Sequence, residues 1–223
     1  MDLRHAIFDR HSVRDYEDKP LTPDHEAALG RLITTYNAQS GLHIQLIKNE
    51  PKAFSGLKAR YGKFTNVKNY FALIGRKGAD LNELCGYFGE QIVLIAQMLG
   101  LNTCWVGGTY KKVHKALSID RGEKLVAVIA AGYGSTSGKP HKSKEFNAVS
   151  KTIGAMPEWY TKGVEAALLA PTAINRQRFV FELTSDERVS VKVGRGPFSK
   201  VNLGIVKYHF EVGSGKDDTI WTN

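Results

Sequence analysis

Ten residues in the middle of the chain, Lys124 to Tyr133 (KLVAVIAAGY), are apolar almost without a break. A strand with one face in water would alternate apolar and polar residues, and this run does not. It also falls well short of the roughly 18 apolar residues that span a bilayer. It reads as a strand buried on both faces, so the rest of the chain has to cover it with helices.

The flanking pattern supplies those helices. Residues 3–9 read as a short helix, followed by the extended stretch RHSVRDYEDKP. Thr22 before Pro23 is a helix start, the hydroxyl acting as cap and the proline taking the first helical position. Leu29, Leu32, Ile33 and Tyr36 then recur at helical spacing, which predicts an amphipathic helix over 23–36. The strongest helix spans 81–99, with Leu84, Cys85, Phe88, Ile92, Ile95, Ala96 and Leu99 forming a broad apolar stripe and Gly100 as the stop. A weaker helix is expected at 51–60. Strands are expected at 42–47, 71–75, 102–108 and 124–133. The loop GSTSGKPHKSK (134–144) separates a first segment, residues 1–145, from a second, residues 146–223. There the pattern restarts, with helices at 159–170 and 201–213 and one or two strands within 178–193. Helix then strand in the first segment resembles helix then strand in the second, a weak internal duplication by spacing alone.

Composition excludes little. The 223 residues are 42% hydrophobic and 24% charged, as in an ordinary globular protein. The start MDLRHAIFDRHSVRDYE is charged throughout and does not read as a secretory signal, so a cytoplasmic protein is expected, with no membrane partner. Cys85 and Cys104 lie in apolar surroundings and read as buried thiols. A formal charge of +9 points to anionic partners without choosing among them. No nucleic-acid module is recognisable, and no nucleic-acid partner is expected. No metal cluster, carboxylate pair or catalytic triad stands out among the residues. Basic residues gather at Lys111–Lys112–His114–Lys115, which reads as a solvated helix face, and at Lys139–His141–Lys142–Lys144.

Two constellations carry chemistry. Arg10-His11-Ser12-Val13-Arg14 sets two arginines at either end of an extended turn with a hydroxyl between them. Arginine offers a planar fork of donors suited to phosphate or to a carbonyl edge. Alone, the same motif fits a solvated basic turn. Ala170-Pro171-Thr172-Ala173-Ile174-Asn175-Arg176-Gln177 follows an apolar helix that its proline prevents from continuing. Its small and amide side chains could approach a planar ring, or could merely connect a helix to a strand.

Taken together, Arg-x-Ser-x-Arg near the amino terminus, Pro-Thr-x-x-Asn-x-Gln, a Leu-Gly-Leu step before Cys-Trp-Val-Gly-Gly, and a late Lys-Ser-Lys resemble the nitroreductase family. The resemblance runs across about residues 3–211. It implies an α+β fold with a mixed, mainly antiparallel sheet and flanking helices, holding FMN at a homodimer interface. There the arginine segment comes from one subunit and the Pro-Ser-x-x-Asn segment from the other. In this sequence both belong to one chain, because the position after the first long helix holds only Tyr36-Asn37-Ala38-Gln39-Ser40-Gly41, while the intact match comes at 171–177. One polypeptide is therefore expected to imitate the dimer, keep one complete flavin site and remain monomeric.

Carried over residue by residue, the resemblance assigns the flavin phosphate to Arg10, Lys142 and Lys144, and the ribityl chain or phosphate to His11 and Ser12. Arg14, with Lys63 beside it, would face the pyrimidine edge. Gly107 and Gly108 would approach N5, and Pro171, Thr172, Ala173 and Asn175 would contact the ring. The family's glutamate-glycine at the N5 position is missing, and Arg178 replaces the proline or tryptophan expected after Gln177. The implied activity passes hydride from NAD(P)H via flavin N5 to an electron-poor acceptor such as a nitroaromatic or quinone, with the cofactor rather than a side chain as the catalyst. Two rivals remain open: a flavin-binding or flavin-modifying protein without nicotinamide turnover, and a basic nucleic-acid-binding module.

Overall fold

The Lys124–Tyr133 run lies at the heart of a sheet. Strand β4 (Glu123–Gly132) is paired on both edges, antiparallel to β2 (Asn69–Arg76) and to β3 (Asn102–Val106). A short β1 (Gln45–Ile47) completes the order β1-β2-β4-β3. Alternation along β4 explains why no position from Leu125 to Ala131 is polar. Ala127, Ile129 and Ala131 face a core built with Leu29, Ile33, Leu81, Ile92 and Ala96, whereas Val128 and Ala130 face a second core with Tyr16, Phe54, Phe64 and Tyr70. The first core is roofed by α2 (Pro23–Ser40) and α4 (Leu81–Met98). The computed structural model describes residues 2–152 and 155–222. No helix among them is long and apolar enough to cross a membrane.

The second segment has its own sheet and core. Strand β6 (Phe179–Leu183) pairs parallel with β5 (Ser150–Thr152) and antiparallel with β7 (Val189–Val193). Tyr160, Phe181, Phe210 and Trp221 pack between this sheet, α5 (Glu158–Leu168) and α6 (Ser199–Ser214). The expected α+β class holds, but the strands divide into a four-stranded antiparallel sheet and a three-stranded mixed one. Helix α1 (Leu3–Asp9) joins the two by burying Ala6 and Ile7 against Leu94 and Ala166.

Several boundaries differ from the sequence pattern, three of them near the first sheet's edge and α2. Helix α2 continues four residues past Tyr36, because Gly41 at φ 68° closes it and Asn37 bonds both the N–H and the carbonyl of Ile44. Only 45–47 of the alternating 42–47 stretch joins the ladder. The weak helix over 51–60 splits into a 3-10 turn (Pro51–Phe54) and α3 (Leu57–Tyr61), separated by Gly56 at φ 92°.

Helices α4 and α6 hold the two segments together through a reciprocal close approach. Gly86 and Gly204 are each the sixth residue of their helix. A Cβ on Gly86 would lie 2.0 Å from the Val201 carbonyl oxygen, and one on Gly204 would lie 2.1 Å from that of Glu83. Each glycine thus meets the residue three positions before the other, the pattern of a self-complementary contact. Gly30, exposed within α2, is the opposite case, since an added Cβ meets nothing within 4 Å. Gly30→Ala is expected to stabilise the protein by about 0.5–1 kcal/mol through lower unfolded-state entropy, read as a higher urea midpoint.

Candidate functional site

The amino-terminal arginine segment is built into the sheet edge. Asp2 caps α1 by accepting from the His5 N–H at 2.9 Å, and the chain leaves the helix at Arg10 in extended form. Ser12 bridges Thr103 of β3, the Val13 N–H donates to the Thr103 carbonyl at 3.0 Å, and buried Tyr16 donates its hydroxyl to Val13 at 2.7 Å. Arg10 is therefore held at 4% exposure. One terminal nitrogen donates to the Leu169 carbonyl at 3.3 Å, and its Nε has no partner. Burial pulls the Arg10 pKa below the usual arginine value, with Glu90 and Cys104 pulling the other way.

The carboxyl end of α5 collects further donors. The Leu168 carbonyl accepts from His141 Nε2 at 3.0 Å and from the Ser143 hydroxyl at 3.1 Å. A carbonyl only accepts, so His141 carries its proton on Nε2. Burial lowers the His141 pKa from 6.5, against the Leu168 bond and with help from nearby Arg10 and His11, which keeps the ring neutral at pH 7.

The segment after α5 is an elbow under strain. Ile174, Asn175 and Gln177 all have positive φ (47°, 51° and 44°), a conformation costing non-glycine residues on the order of 1–3 kcal/mol each. Gln177, 1% exposed, holds it. Its amide nitrogen donates to the Lys142 carbonyl (2.9 Å) and to Asn175 Oδ1 (2.7 Å), while its amide oxygen accepts from the Lys144 N–H (2.9 Å). Thr172 Oγ1 accepts from the Gln177 N–H, and Asn202 of α6 accepts from the Ala173 N–H, both at 3.0 Å. The result places Ile174 outward, 81% exposed.

These pieces face one another across a cavity of about 1050 Å³. Trp105 and Val106 of β3 and Ala127 of β4 line it, with Arg10–Arg14 and the elbow among its walls. Tyr61 to Phe64 and the 193–199 stretch complete the lining. Of the sequence-predicted residues, Arg10, His11, Ser12, Arg14, Lys63, Gly107, Gly108, Pro171, Thr172, Ala173 and Asn175 all line this one space.

Lys142 and Lys144 do not. They border a separate shallow groove, where the Lys144 amine donates to the Gln177 carbonyl at 2.9 Å and the Lys142 carbonyl serves the elbow. Gln177 draws this stretch toward itself, and Lys139 and His141 line the cavity in its place. Gly107 has a close neighbour on that lining. A Cβ there would strike the Phe198 ring at 2.3 Å, so the glycine makes room for that ring, whereas Gly108 faces open space. Phe198 itself sits at φ 61°, and nothing in the GRGPF sequence announced it as a cavity residue. Trp105, Lys139, Arg195 and Tyr61 were likewise missed. Two of these carried a signal, Lys139 as a member of the basic run and Trp105 within the Cys-Trp-Val-Gly-Gly strand.

Beneath the cavity lies a buried polar network. Trp105 donates its indole N–H to Glu90 at 2.7 Å, and Glu90 contacts His209 Nε2 at 2.8 Å. His209 Nδ1 donates to the Ala166 carbonyl at 3.0 Å. Glu90 and His209 are both fully buried, and their contact ties α4 to α6. Glu90→Ala is expected to cost about 3–5 kcal/mol, because it strands two buried polar groups. Glu90→Gln, which can accept from Trp105 and donate to His209, should stay within about 1 kcal/mol of the parent in urea unfolding. Elsewhere His43, Asp120 and Glu123 form a partly exposed trio, but both ring nitrogens of His43 are already engaged, by Glu123 and Gln45.

The sequence profile of the family described as "Putative TM nitroreductase" matches residues 2–214. The chain belongs to this family. Among solved structures, the "putative nitroreductase" of Thermotoga maritima superposes with a TM-score of 0.69 at 23% identity, covering 96% of this chain and 83% of that one. A "putative nitroreductase in complex with FMN" from Desulfovibrio desulfuricans gives a TM-score of 0.52 at 19% identity, covering 67% of this chain and 95% of that one. An "FMN-dependent nitroreductase" from Clostridium difficile gives 0.50 at 16%, covering 62% and 91%. No curated protein sequence matches the chain. The nitroreductase resemblance carried by the Arg-x-Ser-x-Arg and Pro-Thr-x-x-Asn-x-Gln segments is thereby established as family membership, and the superpositions establish the fold.

Proposed function

We propose that this nitroreductase-family chain binds one FMN in the cavity and acts as an NAD(P)H-dependent oxidoreductase toward an electron-poor acceptor such as a nitroaromatic or quinone. The observation that carries the reading is Arg10, a buried cation with an unpartnered Nε on the cavity wall. A buried arginine left partly unsatisfied is costly unless an anion completes it. His11, Ser12 and Lys139 lie on the same lining, so a phosphate there would meet two full charges and a hydroxyl. Arg14 and Lys63 place positive charge that favours a ring gaining negative charge on reduction. Thr172, Ala173 and Asn175 approach from the second segment, and Gly108 leaves space for a flat ring. Bound FMN would supply the two-electron hydride chemistry that no side chain here can.

The FMN-bound putative nitroreductase from Desulfovibrio desulfuricans corresponds over nearly its whole length to about two-thirds of this chain. That proportion and the reciprocal Gly86–Gly204 approach support a chain whose second segment, from about residue 146, does the work of a partner subunit. Such a chain should sediment as a monomer, and a stable dimer burying both segments would contradict the duplication.

The test is direct. Protein purified without added cofactor should absorb in the visible as a flavoprotein, and the released flavin should be FMN at one per chain. It should then oxidise NADH or NADPH when menadione or nitrofurazone is supplied. Colourless protein that also refuses added FMN would end the reading. Yellow protein inert to both nicotinamides would leave only a flavin-binding role.

A further inference from the structure

Resting on the FMN reading, we infer that the second occupant of the cavity is a nucleotide carrying an extra phosphate, so that a 2′-phosphorylated nicotinamide dinucleotide is taken in preference to its unphosphorylated form. The argument is one of charge. Seven cationic side chains line the cavity, and no carboxylate does among the described residues. None of the seven takes part in an ion pair among the described residues. An FMN phosphate carries about two negative charges. More than half of the positive charge is left for something else.

Arg176, Arg178 and Arg195 account for much of that surplus. They come from the elbow and from the ends of β6 and β7, not from the segment that carries Arg10. Arg178 packs its stem against Gly194 and donates to the Arg195 carbonyl at 3.3 Å, which ties Arg178 to the Arg195 backbone. All three are exposed, so they are available to a ligand that arrives from solvent. The same lining holds three outward apolar groups, Tyr61 (86% exposed), Ile174 (81%) and Phe198 (37%). Free inorganic anions have no use for such surfaces, whereas a purine or nicotinamide ring does. Arginine forks also suit phosphate oxygens better than lysine amines do. At about 1050 Å³ the space is at the upper end for a single small ligand, which leaves room for two. A cleft lined by one sign of charge also concentrates oppositely charged substrates, and it loses that advantage in salt.

The probes are adenosine 2′,5′-bisphosphate and adenosine 5′-monophosphate, titrated calorimetrically into FMN-loaded protein at low and high KCl. The bisphosphate is expected to bind at least tenfold more tightly, with the difference shrinking as salt rises. In the variant Arg178→Ala/Arg195→Ala the advantage should fall to about threefold or less while flavin content stays at one per chain. A parallel comparison of kcat/KM should favour NADPH over NADH by a similar factor. Equal binding of the two probes to yellow, loaded protein would overturn the inference, and so would an advantage that survives removal of both arginines. Failure to load FMN at all is a separate outcome that sinks the flavin reading and this inference with it.

Discussion

Arg10→Ala is expected to strip the flavin, weakening FMN affinity by roughly tenfold to a hundredfold. That corresponds to the 1.5–3 kcal/mol typical of a hydrogen bond to a charged group. The figure rests on Arg10 being the most buried of the cavity's cations, since a charge shielded from water is less screened than one on the rim. Arg10→Lys should lie between, keeping the charge but losing the fork that spans Leu169 and the cavity. Lys142→Ala and Lys144→Ala are the controls that separate the structure from the motif. Both lysines lie outside the cavity, so both variants should keep a full complement of flavin. Visible absorbance after gel filtration, with a cooperative urea transition as proof of folding, decides the matter. A folded Arg10→Ala protein that remains fully yellow would move the phosphate elsewhere in the cavity.

A loss of stability as large as that of Glu90→Ala is expected at the crossing of α4 and α6. Gly86→Ala places a methyl carbon 2.0 Å from a backbone oxygen, and Gly204→Ala does so at 2.1 Å. Neither obstacle is the end of a flexible side chain, so the helices themselves have to separate. Overpacking in a core usually costs about 1–3 kcal/mol, and a clash against backbone should reach about 3 kcal/mol or more. The same separation would pull Glu90 from His209, one turn further along the helices. Either substitution should lower the urea midpoint sharply, whereas Gly30→Ala should raise it. Because the crossing joins the two segments, a flavin lost together with stability would also indicate that the cavity depends on their docking.

Much of the architecture could be read from the chain before any coordinates. The apolar run at 124–133, the stripe of the 81–99 helix and the Thr22–Pro23 start all appear where local patterning put them. These features depend on period and on capping, which are properties of neighbouring residues. The candidate site was legible through two short motifs, and eleven of the thirteen residues assigned to it line the same cavity. Lys142 and Lys144 fell outside because the basic run records charge but not direction. Gln177, thirty-odd residues away, decides which side of that run faces the ligand space.

The sequence by itself determined the element types and the doubly buried strand, and its family resemblance implied the pairing of a cationic turn with a small-residue elbow. Only tertiary structure decided that the strands form two sheets and that Phe198 packs on Gly107. It also decided that Trp105, Glu90 and His209 form a chain beneath the cavity. The physical reason is range. Period, caps and breakers act over one or two turns of backbone, whereas each of these contacts joins residues fifteen to about one hundred and twenty positions apart and exists only once α4, α6 and the two sheets have packed.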